Sequence, residues 1–330
     1  MNLSKLQQNL AWLILAFCLL AIPVGLFIHA PESKRQEPDA NGRKLEGLVP
    51  RRDRLMVVNL SGMIVDKEGG PLFFAAGNTG RVKKQLRKAL KDEHVKAVLI
   101  RINSPGGTVA SSQEIHKLVL QLREKGKPVI ASMSDLAASG GYYVACAADR
   151  IVAEPGTVTG SIGVIMNLFN LQGIEEKLGI QPQVVKSGQF KDMGSPSRAM
   201  TAEEKALFQT IIMDSYDQFV TAVASGRQME TAAVRKLADG RIYTGRQALE
   251  LGLVDELGGY DQALAWLQKR ARERYALTED LPVDEGSLID MLRQLLEAAG
   301  RSEPAAGVVG GLVPESMLSQ FQKQPLWVMQ

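Results

Sequence analysis

The chain has 330 residues, 45% of them hydrophobic, enough for one large domain or two ordinary ones with a sizeable core. Its 39 basic and 36 acidic residues leave a formal charge of +3, too balanced for the concentrated basic face that nucleic-acid binding needs. The two cysteines, Cys18 in an apolar run and Cys146 in a small-residue stretch, exclude a disulfide framework and a metal-type spacing.

Residues 1–9 are a short polar N-terminus, and residues 10–28, LAWLILAFCLLAIPVGLFI, contain no charge. Nineteen residues of helix span about 28 Å, close to the hydrocarbon thickness of a bilayer. Pro23 is tolerated in such a span, and Trp12 stands near one end, where aromatic rings favour the interface. A cleaved signal peptide would have a shorter apolar region and a small-x-small site; FIHAPES follows instead, so the expectation is an uncleaved anchor. Lys34, Arg35, Arg43 and Lys44 lie beyond the span and only Lys5 before it. Flanking charge alone therefore places the C-terminal side in the cytoplasm.

Residues 29–54 are polar, with Pro and Gly and no periodicity, and read as a linker. A strand is expected from Leu55, then a helix over GRVKKQLRKALKDE with a solvated charged face, then the strand KAVLIRI. That strand is apolar almost throughout, as one covered on both faces should be. SSQEIHKLVLQLREKG reads as a helix closed by Gly126, PVIASM as a strand, Tyr142 to Ala148 as part of a helix, and RIVAEP and PQVVKSG as strands. Alternating strands and helices indicate an α/β domain with largely parallel strands. From Thr201, which with Glu204 forms a capping box, the chain turns helical. Phe208, Ile212, Tyr216, Phe219 and Val223 make one apolar stripe ended by Gly226, and three more helices follow. The domain is expected over 55–275, leaving 276–330 as a tail of mixed character.

Three places carry possible chemistry. In INSPGGTVASS a strand runs into adjacent glycines, either a tight turn or a set of outward N–H groups for an oxyanion. In DLAASGGYYVACAAD, Ser139 falls between a strand, a loop and a helix start, either a helix cap or a nucleophile with Gly140 N–H beside it. A base is less obvious. Of three histidines, only His116 lies inside the α/β part, on a helix where exposure is expected. A lysine serves as base when burial keeps it neutral, and Lys186 and Lys191 lie in a Gly- and Pro-containing loop. Cys146 reads as a small core residue.

The ordered motifs SPGG, AASGGYYVACAAD, GTVTGSIGV, VVKSGQFKDMGSPSRAMT and DGRIYTGRQALELGLVDELGG resemble the short, single-domain signal peptide peptidase A family over residues 55 to about 270. The resemblance implies a Clp protease/crotonase-like spiral of β-β-α units with a C-terminal helical region, preceded by one transmembrane helix. It implies a Ser-Lys endopeptidase with Ser139 as nucleophile, Lys191 as general base and Ser161 orienting the lysine. Gly106 and Gly140 are the expected oxyanion donors. It further implies remnant signal peptides as substrates, no metal or other cofactor, and a homo-oligomer in which serine and lysine come from neighbouring subunits. The implied location is the bacterial cytoplasmic membrane, single-pass, with the domain outside the cytoplasm, against the flanking charges. For the lysine to act, Asp192 must point away from it. Two rivals are a crotonase-type acyl-CoA enzyme, disfavoured because the helix after Ser139 has no acid before Asp149, and a catalytically inactive or adaptor-like relative.

Overall fold

The computed structural model describes residues 52–66 and 78–286, together with the backbone strand Trp327–Met329. The expected N-terminus 1–9, the anchor 10–28, nearly all of the linker and most of the tail lie outside the described residues. Among the described residues no helix is long and apolar enough to cross a membrane.

In chain order the elements are β1 (Arg54–Ser61), α1 (Thr79–Lys91), β2 (Val95–Ser104), β3 (Gly107–Thr108), α2 (Val109–Glu124), β4 (Val129–Ala138) and α3 (Gly140–Ala145). They continue as β5 (Arg150–Ala153), β6 (Val158–Gly160), β7 (Ile165–Met166), α4 (Gln172–Lys177) and α5 (Ala202–Arg227). The remainder are α6 (Thr231–Leu237), β8 (Ile242–Thr244), α7 (Gly245–Glu250), β9 (Glu256–Leu257), α8 (Tyr260–Tyr275), β10 (Val283–Asp284) and β11 (Trp327–Met329). The main sheet runs β10-β1-β2-β4-β5-β9, every neighbouring pair parallel. Near its end β4 changes partner, from β5 to β6, and β6 pairs antiparallel with β8. This mixed α/β body fits a Clp protease-like fold.

The apolar run of β2 is explained by two cores. Val98, Ile100 and Ile102 face one, with Met56, Val58 and Leu60 of β1 and residues of α1, α2, α3 and α5. Ala97 and Leu99 face the other, with Leu55, Val57 and Ala263, Leu267 and Ala271 of α8. Alternate residues thus enter opposite layers, as the period of two requires. Because β10 adds to the outer edge of β1, the body runs past Tyr275, where the sequence reading ended it.

Two further expectations change. PQVVKSG forms no strand: residues 182–186 join no ladder among the described residues, and Val184 and Val185 are exposed. A strand needs a ladder partner, and no described strand of the chain pairs with it. Gly226 does not end α5, which continues to Arg227 and closes on Gln228 in the left-handed conformation. Its smallness serves packing: a Cβ there would stand 2.0 Å from the Cys146 carbonyl oxygen.

Gly226→Ala should therefore destabilise the protein by about 1–3 kcal/mol, outweighing the ~0.5–1 kcal/mol that alanine gains in a helix interior. Urea midpoints test this, with Gly173→Ala, whose added Cβ meets nothing within 4 Å, as the unaffected control.

Candidate active site

β4 does not stop at Met133 but runs on to Ala138, so Ser139 follows a strand directly, with no intervening loop. Two parallel pairings hold this end: Ser104 beside Ala137 and Ala138 beside Gly160. Ser139 itself has φ 52° and ψ −119°, a conformation that costs a non-glycine residue about 1–3 kcal/mol. It persists because both peptide groups are clamped. The Ser139 N–H donates to the Gly160 carbonyl at 2.8 Å, and its own carbonyl accepts the Tyr143 N–H at 2.8 Å. The side chain makes no capping bond to α3, so the helix-cap reading fails. The residue is fully buried and its Oγ has no hydrogen-bond partner among the described residues. A buried hydroxyl left unpaired costs about 1–3 kcal/mol.

The opposing wall is the SPGG turn. Ser104 Oγ donates to the Gly62 carbonyl at 2.6 Å and accepts the Gly106 N–H at 3.2 Å. The Gly106 amide, the expected oxyanion donor, is thus engaged inside its own turn. The Gly106 carbonyl accepts the Ile64 N–H and the Thr108 N–H donates to the Ile64 carbonyl, each at 2.8 Å. Those bonds flank Gly107, so its own N–H and C=O face the opposite edge. A Cβ on Gly140 would stand 3.1 Å from the Gly107 nitrogen and 2.4 Å from Ser112 Oγ, so the two walls meet only because residue 140 has no side chain. The Gly107 nitrogen therefore packs closely against Gly140.

Ser161 follows Gly160, the residue paired with Ala138, so Ser139 and Ser161 leave the ends of two paired strands. It is largely buried, with φ 49°, and its N–H donates to the Arg241 carbonyl at 2.8 Å. Lys191 is different. It lies on an exposed turn where its N–H donates to the Gly188 carbonyl at 3.2 Å, and its side chain has no hydrogen bond or ion pair with a described residue. Ser139, Ser161, Gly107 and Gly140 thus converge within one chain, and no hydrogen bond joins Lys191 to Ser139.

Asp192 is directed elsewhere. Its carboxylate takes Lys186 Nζ at 2.6 Å and Arg198 Nε and Nη2 at 3.0 Å, which hold it well below the usual carboxylate range. Arg198 also bonds Glu204, whose carboxyl it lowers to about 2 with help from the Thr201 N–H. Arg198 therefore ties the loop of Lys191 to the first turn of α5. Nothing in its sequence context announced that role.

His116 is half-buried rather than exposed, its ring 4.7 Å from that of Tyr143. Burial, with Arg123 adding to it, depresses its pKa to about 4, so the ring is neutral near pH 7. Ser139 Oγ has no bond to it. Cys146 is buried, its Sγ donating to the Tyr143 carbonyl at 3.1 Å, and burial pushes its thiol up to about 12, away from reactivity.

A buried serine in a strained conformation, with an unpaired hydroxyl and adjacent glycines at close-packed backbone, fits a serine hydrolase. Comparison with known proteins narrows the class. The model of peptidase family S49 matches residues 121–273, which include Ser139, Ser161 and Lys191. The chain is 48% identical over 192 residues to a putative protease of Synechocystis sp., covering 58% of this chain and 69% of that protein. It is 42% identical over 220 residues to a putative signal peptide peptidase SppA of Enterococcus faecium, covering 66% and 64%. It is 40% identical over 238 residues to a putative protease of Methanocaldococcus jannaschii, covering 66% and 76%. The chain belongs to peptidase family S49, the signal peptide peptidase A family, and is a serine peptidase.

Since the folded ring of His116 titrates near 4 and the unfolded one near 6.5, its contribution to stability is full above about pH 6.5 and falls as pH drops toward 4. His116→Gln should remove roughly 1–2 kcal/mol of the stability lost between pH 7 and pH 5. It should leave peptide hydrolysis at pH 7.5 unchanged. Denaturation at the two pH values checks the first expectation and an activity assay the second.

Proposed function

We propose that this peptidase is a membrane-anchored Ser-Lys endopeptidase, with Ser139 as nucleophile and Lys191 as base. The observation that carries the reading is the buried Ser139 Oγ, unpartnered among the described residues, next to Gly140, whose backbone packs closely against Gly107. A neutral lysine amine takes the Ser139 proton as Oγ attacks the peptide carbonyl. The Gly107 and Gly140 N–H groups stabilise the oxyanion, and the ammonium returns the proton to the leaving amine. Water, deprotonated by the same amine, then releases the acyl group and restores the serine. Gly107 replaces Gly106 as the second donor because the Gly106 N–H already binds Ser104.

The base comes from a neighbouring subunit. Supporting this, Ser139 has no base bonded to it among the described residues, and Lys191 belongs to an arm whose Phe169, Ile174, Leu178, Ile180 and Val185 are exposed. Packing such an arm against a second copy would bury those side chains and desolvate the lysine, which lowers an amine's pKa. Asp192, bound to Arg198 and Lys186, would not oppose that shift. Substrates on this reading are extended peptides, including remnant signal peptides. The segment 10–28 anchors the body outside the cytoplasmic membrane.

Fluorophosphonate should label the full chain but not Ser139→Ala, and Lys191→Ala should lower kcat/KM by ~10²–10⁴-fold. Mixing Ser139→Ala with Lys191→Ala subunits before assembly should restore about a quarter of the sites if each site draws one residue from each neighbour. No recovery on mixing would place the base within the same chain. Normal hydrolysis by Lys191→Ala would remove it as the base.

A further inference from the structure

The stretch 186–204, KSGQFKDMGSPSRAMTAEE, carries three cations and three carboxylates. Lys191 stands next to Asp192, and an opposite charge close by stabilises an ammonium, raising an amine's pKa by about 1–3 units. A base built on Lys191 therefore needs that carboxylate occupied. Both of its oxygens are. Oδ2 accepts Arg198 Nε and Oδ1 accepts Arg198 Nη2, each at 3.0 Å, a two-pronged pairing that a planar guanidinium makes and an ammonium does not. Oδ1 also accepts Lys186 Nζ at 2.6 Å.

The other edge of the same guanidinium holds Glu204. Nη1 donates to Glu204 Oε2 at 2.9 Å and Nη2 donates to Oε1. Glu204 is itself fixed: its Oε2 accepts the Thr201 N–H at 2.9 Å, its N–H donates to Thr201 Oγ1 at 3.2 Å, and its side chain is 3% exposed. It stands in the first turn of α5, whose Phe219, Val220 and Val223 enter the main core. Arg198 Nη2 also donates to the Asp192 carbonyl at 3.2 Å, so the backbone one residue past Lys191 is tied to α5 along with the side chain.

The charges are balanced as well as bonded. Lys186 and Arg198 offset Asp192 and Glu204, two against two. Taking Arg198 away leaves one cation against two carboxylates, and the excess negative charge favours a protonated Lys191. Taking Asp192 away as well restores the balance, one against one. The other carboxylates bonded to this stretch are Glu203 of α5, which accepts Gln189, and Glu175 of α4, which accepts Ser197, each at 2.8 Å. Neither is bonded to Lys191.

We propose that Arg198 is a positioning residue for the base: its guanidinium ties residue 192 to α5 and, by occupying Asp192, leaves the Lys191 amine free to take a proton. The inference rests on Lys191 being the base, as read above.

Three variants separate the tether from the charge. In Ser139→Ala, where no catalysis intervenes, acylation of Lys191 by acetic anhydride follows the neutral amine, and mass spectrometry reads its rate against pH. Arg198→Gln should move the midpoint up by about one pH unit, and adding Asp192→Asn should bring it back. In the active chain, Arg198→Gln should move the acid limb of kcat/KM up by the same amount. Arg198→Lys keeps the charge but not the fork; it should leave the midpoint in place and lower kcat roughly 10–100-fold, with KM within about twofold. A midpoint that Arg198→Gln leaves unmoved would overturn the proposal. So would one that Asp192→Asn does not bring back, the result expected of a merely structural clamp, since losing both partners loosens the arm further. Arg198→Lys keeps the test open if Arg198→Gln does not fold, and an unchanged kcat there would overturn the tether. If Lys191→Ala still hydrolyses peptide while the midpoint moves as stated, the clamp stands and the base reading falls.

Discussion

Everything about the site depends on the close meeting of two backbones, the turn 104–107 and the segment 138–141. Ser139 is kept in a costly conformation, and what holds it is the sheet on both sides. Parallel pairing to β2 and β6 fixes Ala137 and Ala138, and the Gly160 carbonyl holds the Ser139 amide. The cost of strain and of an unpaired hydroxyl, a few kcal/mol in all, is offset by the burial of two apolar layers around β1, β2 and β4. The rigidity of the sheet is thus what allows a reactive group to stay dry and unbonded.

The same construction explains why the body and the arm differ so much in character. The sheet and its covering helices hide nearly all their apolar side chains. The segment from Ile165 to Met213 leaves many of them in solvent, including Val185, which is wholly exposed. Exposure on that scale is a cost unless another surface covers it. The ion-pair cluster of Arg198 with Asp192 and Glu204 gives the arm local shape without a core of its own.

Gly107 and Thr108 are held on two sides. The Ile64 backbone brackets Gly107 on one, and the strand Trp327–Met329 pairs with both residues on the other.

Much of this was legible in the chain itself. Alternation of apolar runs marked β1, β2 and α2 because hydrophobic period reports which faces are covered. Thr201 and Glu204 marked the start of α5 because a capping box is local chemistry. AASGG and SPGG singled out Ser139, Gly140 and Gly106 because small residues followed strand ends, and the family resemblance added Ser161 of TGSIG. What remained hidden was everything that depends on a partner distant in sequence. That β4 reaches Ser139 without a loop depends on β6. That the Gly106 N–H meets Ser104 while the Ile64 backbone brackets Gly107 depends on β1 and the segment after it. That Gly226 serves contact rather than termination depends on Cys146, and that PQVV stays unpaired depends on which edges the fold leaves open. Local propensity and spacing are written in consecutive residues. Hydrogen-bond partners across a sheet are decided only when the chain has closed on itself.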